Sequence, residues 1–281
     1  MKTYTIFTIL FFAIAFSACE DVIDVPVQTA ATKLVIDASL DWEKGTIGNA
    51  QSITLRTSTP FFDTTSDAIV TGALVKVTNN TNSTEFVFVD QNNGAYTTTE
   101  FIPILGQSYT LEVIYNAETY TATETLNKVT EITDLFQGRE EGFNDEELEL
   151  HVVFTDPPEE ENRYLFKFQR HDELLPVFEV GFDKFVNGNE IDWWYEEEDD
   201  DETDENEAIV PGDVVSIEMY GISETYYNYM EILINQIGGV GIFSATPVAV
   251  KGNCNNLTNP ENYAHGYFRL TEVNKTSYTF E

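Results

Sequence analysis

Acidic side chains are the most abundant groups in this sequence that could take part in chemistry. The chain contains 49 aspartates and glutamates against 14 lysines and arginines. A glycosidase needs only two carboxylates at a set separation. With so many acids available, finding a pair has no predictive value, and the sequence names no catalytic carboxylate.

Histidines and nucleophiles give no catalytic motif either. His151, His171 and His265 are far apart in the sequence and form no His-Glu-x-x-His zinc motif. The sequence has no Gly-x-Ser-x-Gly nucleophile elbow and no phosphate-binding glycine loop. His151 and His265 lie within strand patterns, where a structural role is the simpler interpretation. Because no catalytic constellation is present, we predict that the protein is not an enzyme.

Residues 196–207 form an acidic run in which ten of the twelve residues are acidic. Like charges at this density cannot pack without neutralisation, so the run predicts a solvated loop. Calcium binding is the functional alternative, because hard cations take clustered carboxylates. The candidate ligands are Asp199, Asp200, Asp201 and Asp204. The run lacks the aspartate–glycine spacing of an EF-hand loop, and no cofactor other than calcium is expected.

Three aromatic residues, Trp193, Trp194 and Tyr195, come directly before the acidic run. Aromatic side chains next to acids can stack on sugars or contact a protein partner. A buried position at a sheet edge explains them equally well. They are therefore candidate contact residues for a ligand or partner, with burial as the alternative.

The N-terminus has the features of a bacterial lipoprotein signal. Lys2 supplies a positive charge, and residues 6–16 form an apolar run that is too short to span a membrane. The run leads into Phe16-Ser17-Ala18-Cys19, where small residues precede a cysteine as in a lipobox. We predict that residues 1–18 are a signal peptide and that Cys19 is lipidated, which anchors the chain firmly through several acyl chains.

The segment after the lipidated cysteine predicts a flexible tether and a cellular location. Residues 19–32 are mostly polar and nothing in them supports packing, so we expect a flexible linker. Glu20 and Asp21 resemble the acidic signal that sends lipoproteins to the outer face of the outer membrane. We therefore expect an outer-membrane, cell-surface location. Once Cys19 is lipidated, Cys254 has no second cysteine with which to form a disulfide. We expect its side chain to be buried and to behave as a small hydrophobic group.

The composition limits the partners and the class of protein. A net charge of −35 repels nucleic acid and anionic lipid surfaces, so both are excluded as partners. A hydrophobic content of 42%, with 20 phenylalanines and 14 tyrosines, excludes a disordered chain.

Residues 33–128 show the alternation of a β-sandwich. Leu34, Ile36 and Ala38 alternate with polar residues, and similar short runs recur between turn residues up to residue 126. Alternation with period two and regular turn signals are typical of sandwiches. We predict an immunoglobulin-like sandwich of roughly seven strands for this segment.

Residues 129–281 predict a second β-rich domain that carries one helix. The helix is expected near residues 223–237, with Ser223 as its N-cap. Its apolar face is expected to pack on a sheet rather than contact a ligand. The residues of that face are Tyr226, Met230, Leu233, Ile234 and Ile237. The fold class is therefore mostly β, with a sandwich followed by a β-rich, helix-bearing domain.

Several stretches of the second half carry a resemblance to a known family. They are Phe154-Thr155-Asp156-Pro157-Pro158, Asn162-Arg163-Tyr164-Leu165-Phe166, Phe182-Asp183-Lys184-Phe185-Val186-Asn187-Gly188, Pro211-Gly212-Asp213-Val214-Val215, Ile222-Ser223-Glu224-Thr225-Tyr226-Tyr227-Asn228-Tyr229, Lys251-Gly252-Asn253 and Gly266-Tyr267-Phe268. In order and spacing they resemble a family of Bacteroidota outer-membrane lipoproteins that is known only as a domain of unknown function. The acidic insertion at 196–207 departs from that pattern.

The resemblance implies a functional context, because such lipoproteins are commonly encoded beside TonB-dependent outer-membrane receptors. It implies a non-enzymatic accessory role, in which the chain partners a TonB-dependent transporter. The alternatives are a free-standing glycan-binding or adhesion module that uses Trp193, Trp194 and Tyr195, and behind it a hydrolase built from scattered acids. The family supplies no catalytic residues to carry over.

Overall fold

The structure is a computed structural model that describes residues 30–60, 68–140, 142, 147–197, 208–237 and 248–281. Several predicted features lie outside the described residues. They are the signal peptide at 1–18, Cys19, Glu20, Asp21, most of the tether, and the acidic residues 198–207 with Asp199, Asp200, Asp201 and Asp204.

Fifteen strands and one helix make up the described chain. The strands are β1 (Leu34–Glu43), β2 (Gln51–Thr57), β3 (Leu74–Asn79), β4 (Glu85–Asp90), β5 (Ala95–Thr98), β6 (Ser108–Tyr115), β7 (Glu118–Thr125), β8 (Ile132–Gly138), β9 (Glu149–Thr155), β10 (Arg163–Arg170), β11 (Val177–Phe182), β12 (Glu190–Tyr195), β13 (Val214–Gly221), β14 (Asn255–Asn256) and β15 (His265–Thr279). The helix is α1 (Glu224–Ile237). The predicted mostly-β, sandwich-like fold with one helix is confirmed.

Twelve strands form one curled sheet in the order β11-β10-β13-β15-β1-β2-β5-β4-β3-β6-β7-β14. The other three form a small sheet in the order β12-β9-β8. Neighbouring strands of the large sheet are antiparallel except for β1 and β15, which run parallel over nine residue pairs. Residues 32–281 together make one compact unit.

The last strand, β15, joins the two parts of the large sheet. Its first half pairs with β1, from Val35 opposite His265 to Glu43 opposite Val273. Its second half pairs with β13, ending with Val214 opposite Thr279. At 15 residues it is long enough to serve both neighbours. The C-terminal segment thereby completes a sheet that the N-terminal strands begin.

Three clusters of buried apolar side chains hold the sheets together. The first uses strands up to Leu126, together with Cys254, Ala264, Phe268 and Leu270 from the C-terminal segment. The second begins at Val129 and fills the space between the small sheet and the β10–β13 part of the large sheet. The predicted division of the chain at 128/129 falls between these two clusters and stays a prediction.

The third cluster packs α1 on the sheet. Ser223 caps the helix, because its Oγ accepts a hydrogen bond from the Tyr226 N–H at 3.2 Å. Tyr226 and Met230 are buried and Leu233 is partly buried against the strands. The predicted helix is confirmed, but Ile237 at its last position is 81% exposed and does not join the packed face. No helix in the described part of the chain has the length and hydrophobicity of a membrane span.

Candidate functional site

The outward face of β1 forms the floor of a cavity beneath α1. Every second residue of β1, from Leu34 to Leu40, is buried in the first apolar cluster. Side chains alternate along a strand, so Asp37, Ser39 and Asp41 lie on the opposite face. A central strand of the sheet therefore presents two carboxylates and a hydroxyl on the side that α1 covers.

Arg269 is the central polar residue of this cavity. It stands opposite Ser39 in the pairing of β15 with β1. Its Nη2 donates to both carboxylate oxygens of Asp41 at 2.7 Å. The guanidinium lies over the rings of Tyr220 and Tyr226, 4.7 and 5.1 Å from their centroids. Such cation–π contacts stabilise a cation that has lost water.

The burial of this ion pair and the contact between its members shift the pKa of both. Burial acts to lower the pKa of Arg269, but the carboxylate of Asp41 and the nearby tyrosine oxygens outweigh it and raise that pKa. Burial raises the pKa of Asp41, and Arg269 opposes the shift. Nη1 of Arg269 donates to the Tyr226 hydroxyl at 3.2 Å. Its Nε is buried and has no hydrogen-bond partner within the described residues.

Three tyrosines pack where α1 meets β15. The rings of Tyr226 and Tyr229 stack at 5.9 Å, and the ring of Tyr267 lies 4.8 Å from each. Burial raises the pKa of Tyr229 to about 12, so its hydroxyl is neutral at physiological pH. The tyrosines thus form an aromatic edge of the cavity.

A buried carboxylate on β7 fixes the start of α1. Glu124 accepts hydrogen bonds from the hydroxyls of Tyr267 at 3.0 Å and Thr225 at 3.2 Å. It also accepts one from the N-cap Ser223 at 3.4 Å. Burial raises the pKa of Glu124, and these hydroxyls oppose the shift. The position of the helix above the cavity is therefore set by polar contacts as well as by apolar packing.

The cavity between α1 and the strands has a volume of about 420 Å³. Ligand pockets in proteins typically measure about 300–1,000 Å³. Phe178 from β11, Met230 and Leu233 from α1, and Lys167 from β10 are among the residues that line it. The space thus combines an apolar and aromatic wall with a small number of charged groups, as small-molecule sites do.

The basic groups in the cavity are already paired. The ammonium of Lys167 donates to Glu218 at 2.9 Å, and Arg269 is paired with Asp41. Asp37 accepts a hydrogen bond from the Ser39 hydroxyl at 3.2 Å and has no ion pair with any residue in the described ranges. Glu218 also lies 3.5 Å from Lys275. The cavity therefore presents the exposed carboxylate of Asp37 beside two basic groups that are already in ion pairs.

None of the residues that line the cavity is a histidine or a cysteine, and a serine nucleophile needs a positioned base. The Ser39 hydroxyl donates to a carboxylate two positions away on its own strand. That the protein is not an enzyme stays a prediction.

The predicted contact aromatics do not line this cavity. Trp193 is half-buried and stacks on Phe166 with ring centroids 4.7 Å apart. Tyr195 is 1% exposed and belongs to the second apolar cluster, so its ring cannot meet a ligand. Trp193 and Trp194 line a different cavity of about 320 Å³, together with Glu179 and other acidic residues.

One histidine makes a charged cluster that the sequence analysis did not find. On β9, His151 contacts Glu149 through Nε2 at 3.0 Å and Asp192 through Nδ1 at 2.8 Å. Its ring stacks on Phe136, with centroids 4.3 Å apart. Burial acts to lower the pKa of His151, but the two carboxylates outweigh it and raise that pKa.

Two further predictions concern Cys254 and the candidate calcium ligands. Cys254 is buried in the first apolar cluster, as predicted, and burial raises the pKa of its thiol to about 12. Among the residues that the structure describes, no group of three or more metal-ligating side chains occurs. The calcium prediction concerns Asp199, Asp200, Asp201 and Asp204, which lie outside the described residues, and it stays a prediction.

The fold and the cavity define a β-sandwich protein with a pocket of small-molecule size. The chain belongs to the DUF4249 family, described as a domain of unknown function, whose model matches residues 20–277. No match was found among curated proteins.

Similar solved structures share the fold at most. One is a two-domain fibronectin type-III segment of chicken tenascin, at 11% identity and a TM-score of 0.21, covering 60% of this chain and 83% of that one. Another is a cytokine receptor complex, at 5% identity and a TM-score of 0.26, covering 69% and 86%. A third is a DUF4785 family protein from Legionella pneumophila, at 9% identity and a TM-score of 0.26, covering 69% and 54%. None supports an argument about function.

The sequence contained one sign of the cavity that was not used. In β1, which is a central strand, Asp37 and Asp41 alternate with buried apolar residues. Polar residues at such positions usually indicate a face that is exposed to solvent. Only the packing of α1 over this face turns it into a cavity. The helix packs on the sheet as predicted, and the prediction that its apolar face does not contact a ligand stays a prediction.

Proposed function

We propose that this protein is a lipid-anchored binding protein of the outer membrane that partners a TonB-dependent transporter and catalyses no reaction. The observation that carries the proposal is the cavity beneath α1. Its basic groups are paired with carboxylates, aromatic side chains form part of its wall, and its lining residues include no histidine or cysteine. A cavity of this kind supports holding a small ligand for a partner protein.

The sequence before the fold supports the location. The lipobox ending at Cys19 and the acids Glu20 and Asp21 favour a lipid anchor at the cell surface. More than one acyl chain is needed for stable anchoring. A tether of about a dozen residues then leaves the binding unit free to reach a neighbouring membrane protein.

Family membership supports the choice of partner. The matched region covers nearly all of the chain after the predicted signal peptide, which agrees with the resemblance to Bacteroidota outer-membrane lipoproteins. Those lipoproteins are commonly encoded beside TonB-dependent receptors. A ligand held in an accessory protein next to such a receptor would be delivered to it without diffusing away.

The test is to crosslink intact cells that produce a tagged form of the protein and identify the recovered outer-membrane partners by mass spectrometry. We expect a TonB-dependent receptor among them. A Cys19→Ala variant, which cannot be lipidated, serves as the control and should lose the partner. Recovery of the surface-exposed lipoprotein without any receptor would refute the partnership.

A glycan-binding or adhesion module is the second candidate, because Trp193 and Trp194 line their own cavity with Glu179. If this cavity holds a glycan, Trp194→Ala should abolish retention on an immobilised glycan, while Trp42→Ala should not. Unchanged retention of the Trp194→Ala variant would exclude this surface.

A further inference from the structure

We infer that the cavity lined by Trp193 and Trp194, called the tryptophan cavity below, binds a small organic cation with an ammonium group. This cavity shares no lining residue with the one beneath α1. The inference therefore does not depend on what the cavity beneath α1 holds, nor on a transporter partner. The volume of the tryptophan cavity, about 320 Å³, is in the range of small-molecule sites.

The tryptophan cavity is built by two strands that each end a sheet. β11 is an end strand of the large sheet, and β12 is an end strand of the small sheet. Glu179 comes from β11, Asp192, Trp193 and Trp194 come from β12, and Glu196 follows β12 directly. Side chains alternate between the two faces of a strand. An end strand has one side without a neighbouring strand, so residues from both of its faces can line the same cavity.

The Trp193 indole is held in place by the protein itself. Its Nε1 donates to the Glu179 carboxylate at 2.6 Å. Gly181, two positions further along β11, leaves room for the ring, because a Cβ there would lie 2.7 Å from Cζ3 of Trp193. Phe166 stacks against the indole with ring centroids 4.7 Å apart. The orientation of this lining residue is therefore set before a ligand binds.

The charged side chains that line the tryptophan cavity are acidic. They are Glu179, Asp192 and Glu196, and none of the lining residues within the described ranges is a lysine or an arginine. Asp192 contacts Nδ1 of His151 at 2.8 Å, and the same ring also contacts Glu149. A protonated His151 adds one positive charge that two carboxylates share. The net charge of the lining groups and this histidine is therefore negative in either protonation state of the ring.

Glu179 is a carboxylate that lacks a cationic partner. It is half-buried on β11, and within the described chain its hydrogen bond comes from the uncharged Trp193 indole. Burial raises the pKa of Glu179, and the Trp193 hydrogen bond opposes the shift without help from a lysine or an arginine. An ammonium group in the cavity would supply the missing charge. Its attraction to the carboxylate is stronger than in bulk water, because the site is partly removed from solvent.

The tryptophans favour an organic cation over a metal ion. Indole rings attract ammonium groups through their quadrupole, and tryptophan is the best aromatic side chain for this contact. A hard cation such as Ca²⁺ instead takes about six to eight oxygen ligands. In the part of the chain that the structure describes, no group of three or more acidic, histidine or cysteine side chains is placed to hold a metal ion.

Charge separates this ligand class from the other occupants of the tryptophan cavity. An anion would be repelled by the lining carboxylates and by a chain with a net charge of −35. A neutral glycan, the ligand of the second candidate function, would use the indoles but leave Glu179 without an opposite charge. An ammonium compound uses both the indoles and the carboxylate.

The experiment is calorimetric titration of the full-length protein with choline and with butylamine, which is protonated at neutral pH. The neutral compounds 3,3-dimethylbutan-1-ol and butan-1-ol have matching shapes and serve as uncharged controls. Calcium chloride and a neutral disaccharide are titrated as the competing ligand classes. The detergent must carry neither a choline nor a sugar headgroup, because either would compete with a probe. We expect at least one ammonium compound to bind and its uncharged control to fail.

Glu179→Gln tests the charge. The glutamine keeps an acceptor oxygen for the Trp193 N–H and removes the carboxylate, so binding of the ammonium compound should weaken at least about tenfold. Glu190→Gln is the matched control, because it removes the same charge from an exposed position on β12 outside the cavity. This control should bind as the wild type does.

Trp194→Leu tests the aromatic contribution. Leucine keeps an apolar side chain but has no ring quadrupole, so binding should weaken roughly tenfold. Trp42→Leu, which changes a tryptophan next to the first apolar cluster, is the control and should leave binding unchanged. A thermal unfolding curve of each variant verifies that it is folded.

The inference is overturned if neither ammonium compound binds, or if an uncharged control binds as tightly as its ammonium counterpart. It is also overturned if a folded Glu179→Gln or Trp194→Leu variant binds the ammonium compound as tightly as the wild type. The crosslinking experiment measures the transporter partnership separately, so failure of this site and failure of the proposed function are distinguishable.

Discussion

At the scale of single residues, separating the buried pair of Arg269 and Asp41 should be costly. A buried ion pair adds little net stability when intact, because both charges lose their hydration. Removing one partner leaves the other charge buried and uncompensated, which is strongly unfavourable. The Arg269 side chain is 9% exposed and that of Asp41 26% exposed, so the effect falls mainly on the arginine.

We expect Asp41→Ala to lower the free energy of unfolding by about 3 kcal/mol, since it strands the Arg269 guanidinium. Urea denaturation measures this change. Asp37→Ala is the matched control on the same face of β1, and with no ion pair within the described chain it should change the free energy by less than about 0.5 kcal/mol. Equal effects of the two substitutions would contradict the role given to the ion pair.

The His151 cluster makes a prediction about pH. The pKa of His151 is raised in the folded state, so the folded protein binds this proton more tightly than the unfolded chain does. The stabilisation is fully present below the ordinary pKa of 6.5 and is lost as the pH rises through the raised pKa. Protonated His151 lies between the carboxylates of Glu149 and Asp192, so its protonation stabilises the folded state.

We expect His151→Gln to lose more stability at about pH 5.5 than at about pH 8.5, because only the protonated ring can donate to both carboxylates. Urea denaturation of wild type and variant at both pH values gives the comparison. The difference between the two proteins isolates His151 from other titrating groups. A difference that does not change with pH would show that the histidine acts through packing alone.

At the scale of elements, α1 depends on its first turn. The Ser223 Oγ accepts from the Tyr226 N–H and donates to Glu124, so one hydroxyl both caps the helix and ties it to β7. Loss of such a cap costs about 1 kcal/mol. The same hydroxyl helps to hold the helix over the cavity.

We expect Ser223→Ala to lower the free energy of unfolding by about 1 kcal/mol, because an N-terminal amide of α1 loses its acceptor. Ser223→Thr keeps the hydroxyl and should restore most of the loss. Chemical denaturation of both variants tests this. If the threonine variant is as unstable as the alanine variant, the hydroxyl is not the cause.

Elements whose causes are local could be predicted from the sequence. The alternation of Leu34, Ile36 and Ala38 predicted β1, and Ser223 with the apolar period after it predicted α1. The cavity could not be predicted, because the polar face of β1 looks the same whether it meets water or a helix. Asp41 on this face pairs with Arg269, which lies 228 residues away in the sequence, and no local pattern links the two residues.

At the scale of the whole molecule, β15 belongs to both parts of the large sheet. Phe268 on β15 is fully buried in the first apolar cluster, while the end of the same strand pairs with β13. A destabilising substitution in this strand should therefore lower the stability of both parts of the sheet. The predicted boundary at 128/129 implies the opposite, because independent domains would respond separately.

We expect Phe268→Ala to lower the free energy of unfolding by about 3–5 kcal/mol. The unfolding midpoint should fall equally in both parts of the sheet. Trp42 packs against the first cluster and Trp193 against the second, so their fluorescence reports on each part. The midpoint shift is measured in one background that keeps only Trp42 and another that keeps only Trp193. A shift confined to the Trp42 background would show that the parts unfold separately.

The parallel pairing of β1 with β15 also has a consequence for the order of folding. During synthesis β1 emerges before the other described strands and its parallel neighbour β15 emerges after them, so the large sheet cannot be completed until β15 has been made. Contacts between residues so far apart make folding slow. The edge of β1 that pairs with β15 therefore stays open until residues 265–273 have emerged.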